Sequence, residues 1–275
     1  MNILECITIT DFSRVLAGPD CSMWLADLGA TVLKIESPQG DDTRHWKPPT
    51  FNDTSTYYLS VNRNKQSILP DLNNPDDLKH AHRIVEQSDV LIENFKPGGL
   101  KKFGLHHSQT LARHPQLIHA QISGFDSEEG AHLPGYDLLV QALSGFMHVT
   151  GDPDGPPQRG GVAIFDVVAG LNMATAICAA LYERERSGQG QHIEVDLLTS
   201  ELSALVNQTS GAITCGNDPT RSHPHRARRR ATRPSTRARS RDNHRRHPPD
   251  AQPRTFSRTP VSYRNAPPTL GQHNP

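Results

Sequence analysis

Through the first 220 residues, short β-branched runs alternate with longer stretches of helical period. Residues 6–10 predict a first strand. A polar loop follows, and Gly18-Pro19 suits a helix start because proline in the first turn gives up no needed donor. A helix over 21–28 stops at Gly29, and residues 30–36 predict a second, largely buried strand. The rhythm continues with a strand over 64–71, a helix over 75–87 capped by Asn74, and a strand over 89–93. Helical pattern then runs to His114, Pro115 stops it, and residues 117–123 predict a strand. Helices over 137–145 and 166–186, a strand over 192–197 and a helix over 200–206 complete the series. Strands that alternate with helices are laid parallel and joined by crossovers, so the fold class is α/β, a Rossmann-like parallel sheet flanked by helices. No internal repeat is visible.

From about residue 221 the periodicity collapses. The chain is formally neutral, with 29 basic and 29 acidic side chains, but residues 1–220 carry a net charge of −12 and residues 221–275 carry +12, all of it from Arg. Many Arg and Pro with few large apolar residues bury too little area to offset chain entropy, which predicts disorder. The domain division is therefore 1–215 for the folded portion and 216–275 for an Arg/Pro-rich tail. Out-of-frame translation from about Ser222 would produce such a change. A tail with eight Arg between 221 and 239 also suits sequence-independent binding of nucleic acid, an alternative from a different functional class.

Cys6, Cys21, Cys178 and Cys215 are scattered without a CxxC pair, against a zinc site or a disulfide framework and in keeping with a reducing cytoplasm. The N-terminus lacks the basic and apolar regions of an export signal. Residues 161–181 approach membrane-spanning length, yet Asp166, Asn172 and the Gly/Ala content favour a buried helix over a membrane one.

Two stretches carry candidate chemistry. The Gly/Pro-rich turn over 151–161 leads to Asp166 at a helix start, where the dipole favours an ionised carboxylate. Such an aspartate either caps the helix or acts as a nucleophile. The second stretch, Glu93-Asn94-Phe95-Lys96-Pro97-Gly98-Gly99, follows a buried strand, where open α/β sheets bind ligands or simply turn.

The order of several motifs resembles the class III coenzyme A transferases, the CaiB/BaiF family that includes formyl-CoA transferase and an α-methylacyl-CoA racemase. They are Asp11-Phe12 with Leu16-Ala17-Gly18-Pro19, Leu28 to Glu36, Asn62 to Ser67, Glu93-Asn94-Phe95 with Pro97-Gly98, Gly135-Tyr136-Asp137, and Gly188-Gln189-Gly190-Gln191. Coverage runs from about residue 5 to about 215.

The resemblance implies that Asp166 is the catalytic carboxylate, which takes an acyl group from acyl-CoA as a mixed anhydride and then forms an enzyme thioester before a carboxylic acid acceptor receives the CoA. It implies coenzyme A contacts at Val15, Ala17, Asn62, Lys65, Asn94, Phe95, Lys102, Phe103 and Tyr136. Acyl-CoA is then substrate, with no permanently bound cofactor, no metal and no membrane partner. Ser37 and Pro134 stand where formyl-CoA transferase carries basic residues, which weakens formyl-CoA specificity. The racemase branch has a histidine at the place of Tyr136, and a tyrosine with pKa about 10 exchanges protons poorly at neutral pH, so transfer is favoured over the racemase alternative. Family members are homodimers of roughly 400 residues, so the resemblance also implies a missing small domain, which puts dimerisation and activity of this chain in question.

Overall fold

A computed structural model describes residues 2–126, 130–221, 258–259 and 263–274. The chain opens with β1 (Thr8–Asp11), α1 (Ala17–Asp27) and β2 (Thr31–Ile35). A small hairpin, β3 (Thr50–Phe51) and β4 (Thr54–Ser55), leads into α2 (Thr56–Ser60), β5 (Lys65–Ile68), α3 (Pro75–Glu86) and β6 (Val90–Glu93). Next come α4 (His107–Arg113), β7 (Ile118–Ser123), α5 (Asp137–Leu143), α6 (Phe146–Val149), α7 (Ile164–Ser187), β8 (His192–Asp196), α8 (Leu197–Ala204) and α9 (Asn207–Cys215). Six strands form one sheet in the order β5-β2-β1-β6-β7-β8, and every neighbouring pair is parallel. This is the expected α/β architecture. The hairpin, α2 and α9 were not foreshadowed by periodicity, because each is too short or too polar to show a repeat.

The sheet is covered on both faces. On one, Ile9, Val32, Val90 and Ile118 pack with α1 and α7. On the other, Leu91 packs with Ile84, Val85 and Leu105. Helix α7 is long and apolar enough to cross a membrane, and its Ala169, Met173, Ile177 and Ala180 are buried in the sheet's core. Gly170 permits the close α1–α7 approach, since a Cβ there would lie 2.7 Å from the Ala17 carbonyl oxygen.

Residues 263–274 correct the expectation of a disordered tail, because edge strand β5 supplies them with hydrogen-bond partners. The Asn64 amide donates to the Asn265 carbonyl at 2.9 Å and the His273 amide to the Ser67 carbonyl at 2.9 Å. The Ser67 amide donates to His273 Nδ1 and the Leu69 amide to Asn274 Oδ1. Arg264 donates to the carbonyls of Ala26 and Ala30 around the end of α1, where a cation complements the helix dipole. Apolar burial is small here. Pairing of an otherwise open edge is what holds the strap. The expectation of disorder for 222–257 lies outside the described residues. Deleting 263–275 is expected to lower Tm and to speed hydrogen exchange at the Asn64, Ser67 and Leu69 amides, while core amides of β1 and β6 keep their protection pattern; equal exchange in both chains would show that the strap does not cover this edge.

Candidate active site

In the strand order, β1 is flanked by β2 on one side and β6 on the other, so successive crossovers leave in opposite directions from this point. Open parallel sheets bind ligands beyond the strand carboxyl ends at such a switch. Two cavities lie there. One, of about 310 Å³, is lined by Val15, Ala17, Asn94, Phe95, Tyr136 and Asp166, with Arg14 and Lys96 as its cations. The other, of about 290 Å³, lies between the ends of β1, β2, β5 and β6, with Ile35, Ser37, Leu72, Asn73 and Phe103 in its wall. Arg14 and Phe95 line both, so the two adjoin.

The loop after β1 is held from beneath by buried charge. Lys65 Nζ donates to Asp11, to the Pro19 carbonyl at 2.8 Å and to Asn62 Oδ1 at 3.1 Å. Lys34 Nζ donates to the Ser13 carbonyl at 3.0 Å and to Asp41 at 2.9 Å. Above this lattice Val15 takes a left-handed backbone, φ 70°, which is strained for a β-branched residue. Its amide faces the Asp41 carboxylate at 3.3 Å, which offsets part of that strain. Asn94 closes the loop from the other side by accepting from the Arg14 amide at 2.9 Å and donating to the Arg14 carbonyl at 2.7 Å. Helix α1 starts at Ala17 without a side-chain cap, so its positive end opens on the cavity.

Asp166 lies in the first turn of α7, two residues inside its start, rather than at the cap. The cap comes from another element. Asp137, buried at the start of α5, accepts from the Phe165 amide at 2.8 Å and from the Asp166 amide at 3.3 Å. Gln141 donates to the other Asp137 oxygen and accepts from the Gly160 amide, which ties the Gly-rich turn to α5. Gly124 and Gly135 cross backbone against backbone, for a Cβ on Gly124 would meet the Gly135 Cα at 2.1 Å, and this crossing delivers Tyr136 to the cavity rim. Burial, then the charges of Asp137 and Asp20, push the Asp166 carboxyl up to about 7.

The structure brings together Val15, Ala17, Asn94, Phe95, Tyr136 and Asp166, and places Phe103 in the adjoining cavity. Lys102 is exposed, 4.5 Å over the Phe103 ring, and lines neither cavity. Asn62 and Lys65 lie apart from both cavities. Both are in the core, where Asn62 donates to the Tyr58 carbonyl and Lys65 is committed to Asp11. Arg14, Leu72 and the cap Asp137 escaped sequence reasoning. Only Asp137 had a signal, its place inside the Gly135-Tyr136-Asp137 motif.

An α/β sheet with a carboxylate in the wall of a two-part cavity at its switch point has the geometry with which open parallel sheets bind ligands. The profile of CoA-transferase family III matches residues 4–245, and the chain belongs to that family. It is 43% identical to the succinate–glutarate CoA-transferase of Agrobacterium fabrum over 232 residues, which is 80% of this chain and 58% of that one. It is 40% identical to the acetyl-CoA:oxalate CoA-transferase of Acetobacter aceti, with 80% and 58% covered. Among solved structures, a CAIB/BAIF family protein from Brucella suis aligns with TM-score 0.78 and 40% identity, covering 82% of this chain and 62% of that one. The chain thus spans somewhat over half the length of these relatives. The family match also extends 30 residues past the point where the motifs end.

Proposed function

We propose that this chain moves coenzyme A from an acyl-CoA thioester to a carboxylic acid, with Asp166 as the nucleophile. The observation that carries this reading is Asp166 facing the cavity at the sheet's switch point, with its backbone fixed by Asp137. The carboxylate oxygen attacks the thioester carbonyl, the C–S bond breaks, and the mixed anhydride and CoA thiolate form. Thiolate then attacks the aspartyl carbonyl and releases the acyl acid, leaving an enzyme thioester. The incoming carboxylate attacks that thioester and displaces thiolate as a second mixed anhydride forms, and attack of thiolate on its acyl carbon gives the new acyl-CoA and restores Asp166. The open end of α1 stabilises the developing oxyanion or a phosphate.

The named relatives act on succinate, glutarate and oxalate as acids or thioesters. A dicarboxylate is therefore the acceptor class proposed here, with Arg14 and Lys96 available to the distal carboxylate. Ile35, Leu72 and Phe103 give the second cavity an apolar wall for a nucleotide base, beside polar groups such as Ser37 and Asn73. A cytoplasmic homodimer is proposed as the working form. The racemase reading has Tyr136 against it, and the nucleic-acid reading rests on 222–257, outside the described residues. Incubation with a panel of acyl-CoA esters and dicarboxylates, followed by mass measurement, is expected to show CoA exchange and an adduct on Asp166. Exchange without any adduct would remove Asp166 from the mechanism.

Because Asp166 must be ionised to attack, transfer is expected to rise with pH through about 7. Asp137→Asn keeps an acceptor for the helix amides but removes the neighbouring charge, so the acidic limb of the pH–rate profile is expected to move to lower pH. An unmoved limb would show that burial alone sets the carboxyl.

A further inference from the structure

The Glu93-Asn94-Phe95 turn touches both cavities, yet Glu93 itself faces away from them, into the layer between the sheet and α4. Its side chain is buried, with Oε2 accepting from the Phe95 amide at 2.7 Å. Its other oxygen faces His119 Nε2, from β7, at 4.0 Å. His119 is fully buried, and its Nε2 has no hydrogen-bond partner among the described residues. Its Nδ1 is 3.0 Å from Thr110 Oγ1, and that hydroxyl is also within reach of the His106 and His107 carbonyls.

The remaining titratable groups at this spot are histidines. His106 and His107 come from the start of α4, and His192 from β8 stacks on His107 at 4.0 Å with rings 9° apart. His119 stands edge-on to both stacked rings. Parallel stacked rings do not aim their nitrogens at one point, and the described residues contain no group of three side chains able to hold a metal. The arrangement handles protons instead.

We propose that Glu93, His119 and Thr110 form a one-proton switch that sets the Phe95 turn, which makes Glu93 a positioning residue for coenzyme A binding; this deepens, and rests on, the CoA-transfer reading. In the protonated state the Glu93 carboxyl donates to His119 Nε2, His119 Nδ1–H donates to Thr110 Oγ1, and the Thr110 hydroxyl donates to an α4 carbonyl. When the pair releases its proton to solvent, the imidazole proton resides on Nε2 and points at the carboxylate, and the Thr110 hydroxyl turns to donate to Nδ1. A side-chain shift of about 1 Å closes the 4.0 Å gap to hydrogen-bond distance in either state. Only the second presents a full carboxylate to the Phe95 amide, and charge-assisted bonds are roughly twice as strong as neutral ones. Burial pushes the Glu93 carboxyl up to about 7, which puts the change near neutrality, and burial with the His106 charge keeps His119 low, at about 4.

The test is a pH titration of the isotope-labelled full chain by NMR, reading the Phe95 amide and the His119 ring nitrogens. A shared midpoint is expected for all three, with the His119 tautomer changing across it. In Glu93→Gln the Phe95 step should vanish and His119 should keep one tautomer. Thr110→Val, which removes one arm, should move the midpoint, and it serves if Glu93→Gln fails to fold. Calorimetry with free coenzyme A should show affinity rising about fivefold more from pH 6 to 8 in the wild type than in Glu93→Gln, since the Asp166 titration is common to both. Unrelated midpoints, or a Phe95 step that survives in Glu93→Gln, overturn the switch. If the wild type binds no coenzyme A at any pH, the CoA-transfer reading fails, and the NMR titration alone still decides the proton couple.

Discussion

Asp166→Asn is expected to lower CoA transfer by at least about 10³-fold and to raise stability at the same time. The first effect follows from chemistry, since an amide does not form the mixed anhydride. The second follows from the environment. The folded Asp166 carboxyl is raised to about 7 from an ordinary 3.8, so the folded chain holds this proton where the unfolded chain has released it. Stability due to this group is therefore full below pH 3.8 and is lost as pH rises toward 7. Asparagine carries no such loss. The variant's advantage should grow between pH 3.8 and 7 and level off above, at about 1–3 kcal/mol after allowance for solvent at a half-buried site. Parallel denaturation of wild type and variant at pH 4 and pH 8 checks it. A variant equally stable relative to wild type at both pH values would show that Asp166 is ionised without cost, and the nucleophile would then lack the burial that shields its acyl intermediates from water.

The fold was legible because its strands announce themselves. Val90-Leu91-Ile92 is a continuous apolar segment of the kind that a sheet covered on both faces accepts, and Ile118, Ala120 and Ile122 give β7 an apolar face at period two. Helix α1 was read four residues too late, since Gly18 and Pro19 are poor helix formers that mask the start at Ala17, and the packing of Ala17 against Gly170 of α7 is not visible in the local pattern. The strap over 263–274 was hidden for a different reason. Its stability comes from backbone groups of β5 that lie 200 residues away, and composition reports apolar content rather than available edges.

The site was legible where a residue ends a strand or opens a helix. Asn94 and Phe95 follow β6, and Val15 and Ala17 bridge β1 and α1, so topology alone carries them to one crevice. Burial was not legible. A lysine beside Asn62 in the chain looks the same whether it faces solvent or a carboxylate, and Asp137 looks like an ordinary helix-start residue although it caps a helix from another element.

Lys65→Ala is the substitution that separates the two readings of that lysine. A phosphate-binding side chain at the surface, once removed, would weaken coenzyme A binding and leave stability within about 0.5 kcal/mol. The structure instead commits Lys65 to Asp11, with both side chains fully buried, and burial lowers the ammonium to about 8. Removing one partner of a buried pair leaves an uncompensated charge, so Lys65→Ala is expected to cost about 3–5 kcal/mol. Asp11 also accepts from Ser22 and from Ser13, so Lys65 is one of several donors gathered on a single buried side chain. The double variant Asp11→Asn with Lys65→Met removes both charges at similar volume and should recover most of that loss. Urea denaturation of the wild type, the single variant and the double variant reads all three. A single variant of wild-type stability that fails to bind coenzyme A would return Lys65 to the nucleotide and would mean that the loop after β1 is held by something other than its buried charges.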